Sequence, residues 1–353
     1  MKAWILEDIG KINYVEDAPL PAIKENEVLV KVKAVGICGS DIPRVFQNGA
    51  HKMPLIIGHE FSGQVEKIGI KVNNKWQNKR VGIFPLMPCM ECSACKAKKY
   101  EMCSNYNYLG SRTNGAFAEY VAVPEWNLIE IPDNVSFEQA AMLEPMAVAV
   151  HAMRRLDFNE DMSVAISGLG TIGQLLTMFL LEKGIKNLYA IGNKKLQKDS
   201  VLSLGLPEEN YYDYTLGNPY DWIFGKTNGK LLNAYFDCVG KNETLATGLK
   251  LAGNEAQICI VGNPYTDINI PKELHWGILK KQLRITGTWN SSFYGESDDV
   301  ISDDWKYVIY RLSKNLIHPE NLITHRFPLG ELESGLKIMN YKLDEYIKIL
   351  VIQ

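Results

Sequence analysis

Two textures of apolar and polar residues divide this chain. Before about residue 137 the apolar residues come in short, partly alternating runs. Residues 28–35 and 117–123 are the clearest of these, and a period of two predicts β-strands with one face in a core. Glycine and proline punctuate the intervals, at Gly58, Gly63, Gly69, Gly82, Pro85 and Pro88. Residues 137–155 are rich in alanine, methionine and glutamate and predict helices that lead out of this first region.

Beyond them, short apolar strands alternate with helical stretches. Strands are predicted at 163–167, 187–191, 235–239, 256–261 and 283–287, and an apolar helix over 171–182 follows the first across a glycine turn. That alternation predicts a parallel sheet covered on both faces. The tail holds a predicted helix over 304–314 and a terminal strand over 347–352, and is expected to rejoin the first region. A chain of 353 residues exceeds what one core usually organises. Two domains are therefore expected: residues 1–150 completed by 290–353, and residues 151–289. There is no internal repeat and no low-complexity segment.

Composition acts mainly by exclusion. A formal net charge of −3 offers no polybasic footprint for nucleic acid or an acidic membrane surface. No apolar run reaches membrane-spanning length. Glu7 and Asp8 stand where a signal peptide would be apolar, so a cytoplasmic protein is expected. The 7 cysteines are an odd number, and four crowd between residues 89 and 103. In a reducing compartment such a cluster points to metal and not to disulfides.

Cys89, Cys92, Cys95 and Cys103 supply four soft ligands, and two-residue gaps let consecutive thiolates turn onto one ion. A site made only of cysteine leaves no position for water or substrate, so a structural zinc is expected. An iron–sulfur cluster is the alternative with overlapping spacing. A second set is dispersed. Cys38 is framed by glycines after a strand, His59 and Glu60 form a pair in a glycine-rich turn, and Glu144 interrupts an apolar helical stretch. Read singly, these could be a small core cysteine, a satisfied core histidine and a carboxylate capping the turn before Pro145. Together they form the mixed set of an open catalytic zinc, three protein ligands with one exchangeable position. Glu60 could ligate directly, or stand behind the ligands and exchange with Glu144.

Gly168, Gly170, Thr171, Ile172 and Gly173 form a GxGxxG turn between a predicted strand and a predicted helix. The first glycine permits the turn, the second lets a pyrophosphate approach the backbone, and the third lets helix pack on strand. Free amides at the helix start then hold the phosphates. At the end of the next strand, where an NAD site carries an acid against the ribose, the chain reads Gly192, Asn193, Lys194. With no acid and with basic neighbours, a 2′-phosphate is admitted, so NADP is expected over NAD. The alternative is that the lysines simply open a solvated helix. Cys238 and Cys259 fall in predicted buried strands and are expected to be core residues.

These residues together resemble the medium-chain zinc alcohol dehydrogenases along the whole chain. The run Leu143, Glu144, Pro145 with Val150, His151, Ala152 is similar to the sorbitol-type polyol branch. Residues 36–51, 85–89, 110–112 and 287–289 look most like the galactitol-phosphate dehydrogenases within it. The resemblance implies a β-rich GroES-like catalytic domain and a Rossmann doubly wound cofactor domain. It implies a catalytic zinc on Cys38, His59 and Glu144 with Glu60 adjacent, and a structural zinc on the four clustered cysteines. It implies hydride transfer between NAD(P) and an alcohol, the oxygen lying on zinc and Ser40 taking the first proton. It also implies a homodimer or homotetramer.

Two departures stand out. Many relatives carry a relay histidine five residues after the zinc cysteine, where this chain has Pro43; the galactitol-phosphate enzymes carry aspartate where it has Gly192. A polyol phosphate would need cations near the cleft, and Arg44 and Arg112 are the candidates, with His51 and Lys52 in reserve. The other substrates in view are an unphosphorylated polyol such as sorbitol, arabitol or ribitol phosphate, and, least, a threonine-like amino alcohol. A non-catalytic zinc and nucleotide-binding protein is the rival from another class.

Overall fold

The computed structural model describes residues 1–296 and 302–353, and they divide into two compact units. The first comprises Met1–Ala147 and Ser291–Gln353; the second is Val148–Asn290.

The first unit is built on strand Glu27–Ile37, most of whose residues are buried. On one edge it pairs antiparallel with Glu60–Ile68; on the other, its start pairs with Tyr120–Pro124 and its end with Lys348–Ile352. Strand Ile323–Pro328 then joins Lys348–Ile352 in parallel. The C-terminal tail thus completes the sheet of the N-terminal region. Val30, Val32, Phe61, Val65, Val121, Ile349 and Val351 fill its core, each contributing about 1.5–3 kcal/mol through burial. Strand Tyr120–Pro124 begins three residues later than its sequence pattern suggests, residues 117–119 forming bends about a single bridge between Ala118 and Ala3. The chain leaves through Phe137–Ala141, opened by a capping box on Ser136 and Gln139, and then helix Leu143–Arg154.

The second unit carries one parallel sheet in the order Tyr211–Asp213, Asn187–Gly192, Ser163–Ser167, Leu232–Asp237, Ala252–Ile260, Arg284–Gly287. Chain order runs outward from Ser163–Ser167 to one side, then restarts at its other neighbour. That reversal opens a crevice at the carboxyl ends of the two central strands. Helix Thr171–Glu182 is buried continuously from Gly173 to Leu180, which explains why its sequence is apolar all round. The short strand Tyr211–Asp213 has no signal of its own in the sequence pattern. The strand expected to reach Val239 stops at Asp237, because the Asp237 carboxylate accepts the amides of Val239 and Gly240 and turns the chain. Cys238 therefore lies past the strand end and is half-buried, whereas Cys259 is buried within its strand. No helix of the described residues is long and apolar enough to cross a membrane.

Candidate metal centres and cofactor site

In the loop 89–103 the four thiols converge so that their sulfurs lie within 4.8 Å of one another. Cys89 Sγ and Cys95 Sγ are 4.0 Å apart, and Cys92 Sγ and Cys103 Sγ 3.9 Å. A tetrahedral zinc with sulfur at about 2.3 Å spaces its ligands by roughly 3.8 Å, so the spacing fits. Met90 and Lys98 adopt left-handed backbone to fold the loop back on itself. The Cys89 amide donates to Cys103 Sγ and the Cys92 amide to Cys89 Sγ, the donors a thiolate needs. Backbone amides of Cys95 and Ser104 pull the Cys92 thiol down to about 5, while burial pushes Cys95 up to about 12.

The dispersed set is brought together by the sheet of the first unit. Cys38 follows the end of strand Glu27–Ile37, and Glu60 opens the neighbouring strand with Gly36 directly opposite it. Gly58, at φ +97°, turns the chain into His59; a Cβ there would press on Phe117 at 3.0 Å. Cys38, His59 and Glu60 each place one ligand atom within 4.8 Å of the others. His59 Nδ1 is buried with no hydrogen-bond partner among the described residues, its nearest carboxylate oxygen being Asp41 Oδ1 at 3.6 Å. A thiol, an imidazole and a carboxylate at this spacing fit a zinc site.

Glu144, expected with Cys38 and His59, is not within that group of three. Its Oε1 accepts the Tyr108 hydroxyl at 3.2 Å, and the Tyr108 ring meets His59 edge-on at 5.8 Å between centroids. Burial raises the Glu144 carboxyl to about 7, helped by Glu60 and opposed by His59. Burial also opposes charge on His59, but Asp41 and Cys38 outweigh it and hold the imidazole well above its ordinary value.

Three residues escaped the sequence reading. Asp41, fully buried, accepts the Cys38 amide at 3.0 Å and Arg44 Nη1 at 2.5 Å while facing His59. Its place three residues after Cys38 was the available clue. Tyr108 gave no signal. Lys348 is buried, pairs with Glu60 Oε2 and donates to the Ile37 carbonyl at 3.2 Å. A lone lysine opening an apolar strand is a charge that must find a partner, and that could have been read.

Ser40 donates to Cys38 Sγ at 3.3 Å and, with Pro43, Arg44, Asn48 and His51, borders a cavity of about 340 Å³. Arg112 does not line it. Its guanidinium stacks on Tyr106 at 4.3 Å and donates to the Tyr106 carbonyl.

In the second unit the glycine turn behaves as its spacing suggests. Gly168 sits at φ +90°, a Cβ on Gly173 would collide with the Gly168 carbonyl, and one on Gly170 would meet nothing within 4 Å. Thr171 and Ile172 open the helix whose amides point outward. Beside the turn lies a cavity of about 370 Å³ lined by Gly168, Gly192, Asn193, Tyr214, Lys241 and neighbours. A Cβ on Gly192 would meet Leu169 at 2.8 Å. Lys194 caps the next helix and does not line the cavity; Lys241, which sequence reasoning missed, does.

Comparison with known proteins bears on this geometry. Residues 24–133 match the alcohol dehydrogenase GroES-like domain, and 171–313 match the zinc-binding dehydrogenase family. The galactitol 1-phosphate 5-dehydrogenase of Escherichia coli K12 is 31% identical over 332 residues, covering 94% of this chain and 93% of that one. The crystal structure of galactitol-1-phosphate dehydrogenase from Escherichia coli superposes with a TM-score of 0.91 at 28% identity, over 100% of both chains. A zinc-binding dehydrogenase from Sinorhizobium meliloti 1021, bound to NADP, superposes at 0.90 with 25% identity, over 100% of this chain and 99% of that one. Two metal-fitting clusters, a dinucleotide turn and matches that run the length of the chain lead to one assignment: this chain belongs to the zinc-dependent medium-chain alcohol and polyol dehydrogenases.

Proposed function

We propose that the enzyme oxidises a secondary alcohol of a polyol phosphate, galactitol 1-phosphate being the first candidate, with NADP preferred over NAD. The observation that carries this reading is the cavity in which Ser40, Arg44 and His51 meet beside Cys38. Likeness to the galactitol 1-phosphate enzyme supports the same substrate class.

In this reading Cys38 and His59 would hold a catalytic zinc together with Glu60, which lies at ligand spacing, or with Glu144, as the family resemblance implies, and Cys89, Cys92, Cys95 and Cys103 would hold a structural one. When bound, the zinc supplies Lewis acidity that makes the hydroxyl more acidic, and the nicotinamide accepts the hydride. Asp41 orients His59, as a carboxylate behind a ligating imidazole does. Ser40 receives the alcohol proton. Pro43 has no proton to relay, so the path continues through the cavity toward exposed His51. Arg44 offers charge to a substrate phosphate, and His51 a hydrogen-bonding ring nitrogen. Gly168, Gly170, Thr171, Ile172 and Gly173 receive the pyrophosphate, while Gly192, Asn193 and Lys194, with Lys241 nearby, leave the ribose 2′ position free of acid.

An unphosphorylated polyol is the second reading, favoured by one contact: Arg44 Nη1 is already committed to Asp41. A homodimer or homotetramer completes the proposal. Helix Lys272–Lys281 buries none of its residues, exposes Trp276 and Leu279, and flanks the edge strand Arg284–Gly287.

The test is the initial rate of cofactor reduction by zinc-replete enzyme on galactitol 1-phosphate and on free galactitol, with each cofactor in turn. A strong rate on the phosphate alone, faster with NADP, is the expected result. Equal turnover of the free polyol would retire the phosphate reading.

A further inference from the structure

Strand Tyr120–Pro124 uses only one of its two edges. The Val32 amide donates to the Glu119 carbonyl and the Glu125 amide to the Asn26 carbonyl, and between them Val30 stands opposite Val121 and Val28 opposite Val123. By alternation Val121 and Val123 turn their backbone polar groups toward strand Glu27–Ile37, while Tyr120 and Ala122 turn theirs away. Pro124 falls on that second edge too, where its missing amide hydrogen costs no pairing. Among the described residues no hydrogen bond reaches the Ala122 amide or carbonyl from that side. A ladder does begin along the same edge: Trp4 donates to the Phe117 carbonyl and Glu119 to the Lys2 carbonyl, around the Ala3–Ala118 bridge. It stops short of Ala122.

Ala122 instead lines a cavity of about 500 Å³, larger than either cavity above. The lining includes Ile5, Ala18 and Ile56, which belong to a small apolar cluster with Ala118. Pro19 and Pro21 also line it and have no amide hydrogen with which to close the ladder. Between them Leu20 is 58% exposed. The two charged side chains of the lining, Lys24 and Glu27, are paired with each other at 3.0 Å. The cavity thus offers apolar surface and an unpaired edge, with its side-chain charges already matched.

That combination selects an occupant. A strand residue fills roughly 160 Å³, from a rise of about 3.3 Å, about 4.8 Å between strands and about 10 Å between sheets, so the cavity holds about three. A recessed edge of that length excludes the side of a folded sheet but admits one extended chain. The residue opposite Ala122 would exchange both hydrogen bonds with it, and apolar or β-branched side chains would cover Ile5 and Ile56. We propose that this edge is a docking site for an extended, neutral, apolar peptide segment of another protein, added antiparallel beside Ala122 as one short strand.

The probes are acetylated and amidated hexapeptides in which Val, Ile, Leu and Thr alternate, titrated against the full-length, zinc-replete enzyme. Fluorescein-labelled forms report binding by anisotropy, and amide exchange reports where they sit. Saturable binding is expected below about 1 mM, with exchange at Ala122 slowed about tenfold. The same peptide N-methylated at its central residues keeps its side chains but loses its donors, and should bind at least about tenfold more weakly. Ala122→Pro removes the outward amide without touching the bonds to strand Glu27–Ile37. It should weaken binding about tenfold and leave the dehydrogenase rate unchanged. Ala122→Val keeps the amide and should keep the affinity. No saturable binding by any of these peptides, equal binding of the N-methylated form, unchanged affinity in Ala122→Pro, or protection elsewhere than at Ala122 overturns the proposal. The N-methylated comparison uses wild-type protein and stands even where Ala122→Pro fails to fold.

Discussion

The loop 89–103 and the Cys38–His59 site present metal-fitting ligands assembled by opposite routes. The four cysteines lie within one short loop, and their sulfurs converge through local turns at Met90 and Lys98. Cys38 follows one strand, His59 precedes the next and Glu60 opens it, Glu144 comes from a helix, and Lys348 from a position 288 residues beyond Glu60. A local cluster needs little loop-closure entropy and is complete once its loop is bent. A dispersed site exists only when the sheet is in register, and can therefore be surrounded by residues that no local spacing announces. The first kind suits a staple, the second an adjustable centre.

Several changes would break or sharpen this contrast. Cys38→Ser is expected to lower the dehydrogenase rate by roughly 10³-fold or more, the scale of losing charge stabilisation at the reacting atom, while the chain keeps one zinc. Cys103→Ser should do the reverse: it loses the other zinc and more than about 4 kcal/mol of folding stability, in the range that metal loss produces. Metal analysis and denaturant unfolding check both. If Cys103→Ser unfolds no more easily than wild type, the loop is no staple.

Asp41→Asn should weaken metal affinity at the Cys38 site by about 10- to 100-fold, because the imidazole loses its charged neighbour. Chelator competition measures it, and the four-cysteine zinc should be unaffected. Gly192→Asp should shift the NADP-to-NAD ratio of kcat/KM toward NAD by about tenfold, since the acid would repel a 2′-phosphate. Leu169 must move aside for the new side chain, and an unchanged ratio would move the specificity argument to Lys241.

The smallest effects separate the arginines. Arg44→Ala should raise KM for a polyol phosphate about tenfold, as loss of a charge-assisted hydrogen bond does. Arg112→Ala should change it less than about twofold and cost about 0.5–1 kcal/mol of stability from its stacking on Tyr106. Steady-state kinetics on phosphate and free polyol, with thermal unfolding, distinguishes the two.

Much of this was legible along the chain. Strand 163–167 and helix 171–182 agree with the structure residue for residue, because their patterns are long and their glycine turn is specific. Boundaries slipped where side chains overrode the pattern. Asp237 ended one strand early by capturing two amides, and Arg112 was drawn from a cation near the cleft into a stack on Tyr106.

What the sequence determined by itself was whatever depends on short separations: the alternation that makes a parallel sheet, the four thiols at turn spacing, the glycines whose missing side chains the nucleotide turn requires. Only the tertiary structure decided what stands behind each ligand. Tyr108 on Glu144, Asp41 facing His59 and Lys348 on Glu60 are consequences of strand register and burial. A buried charge must find its counter-charge wherever the folded chain brings one, and that distance is not written in spacing.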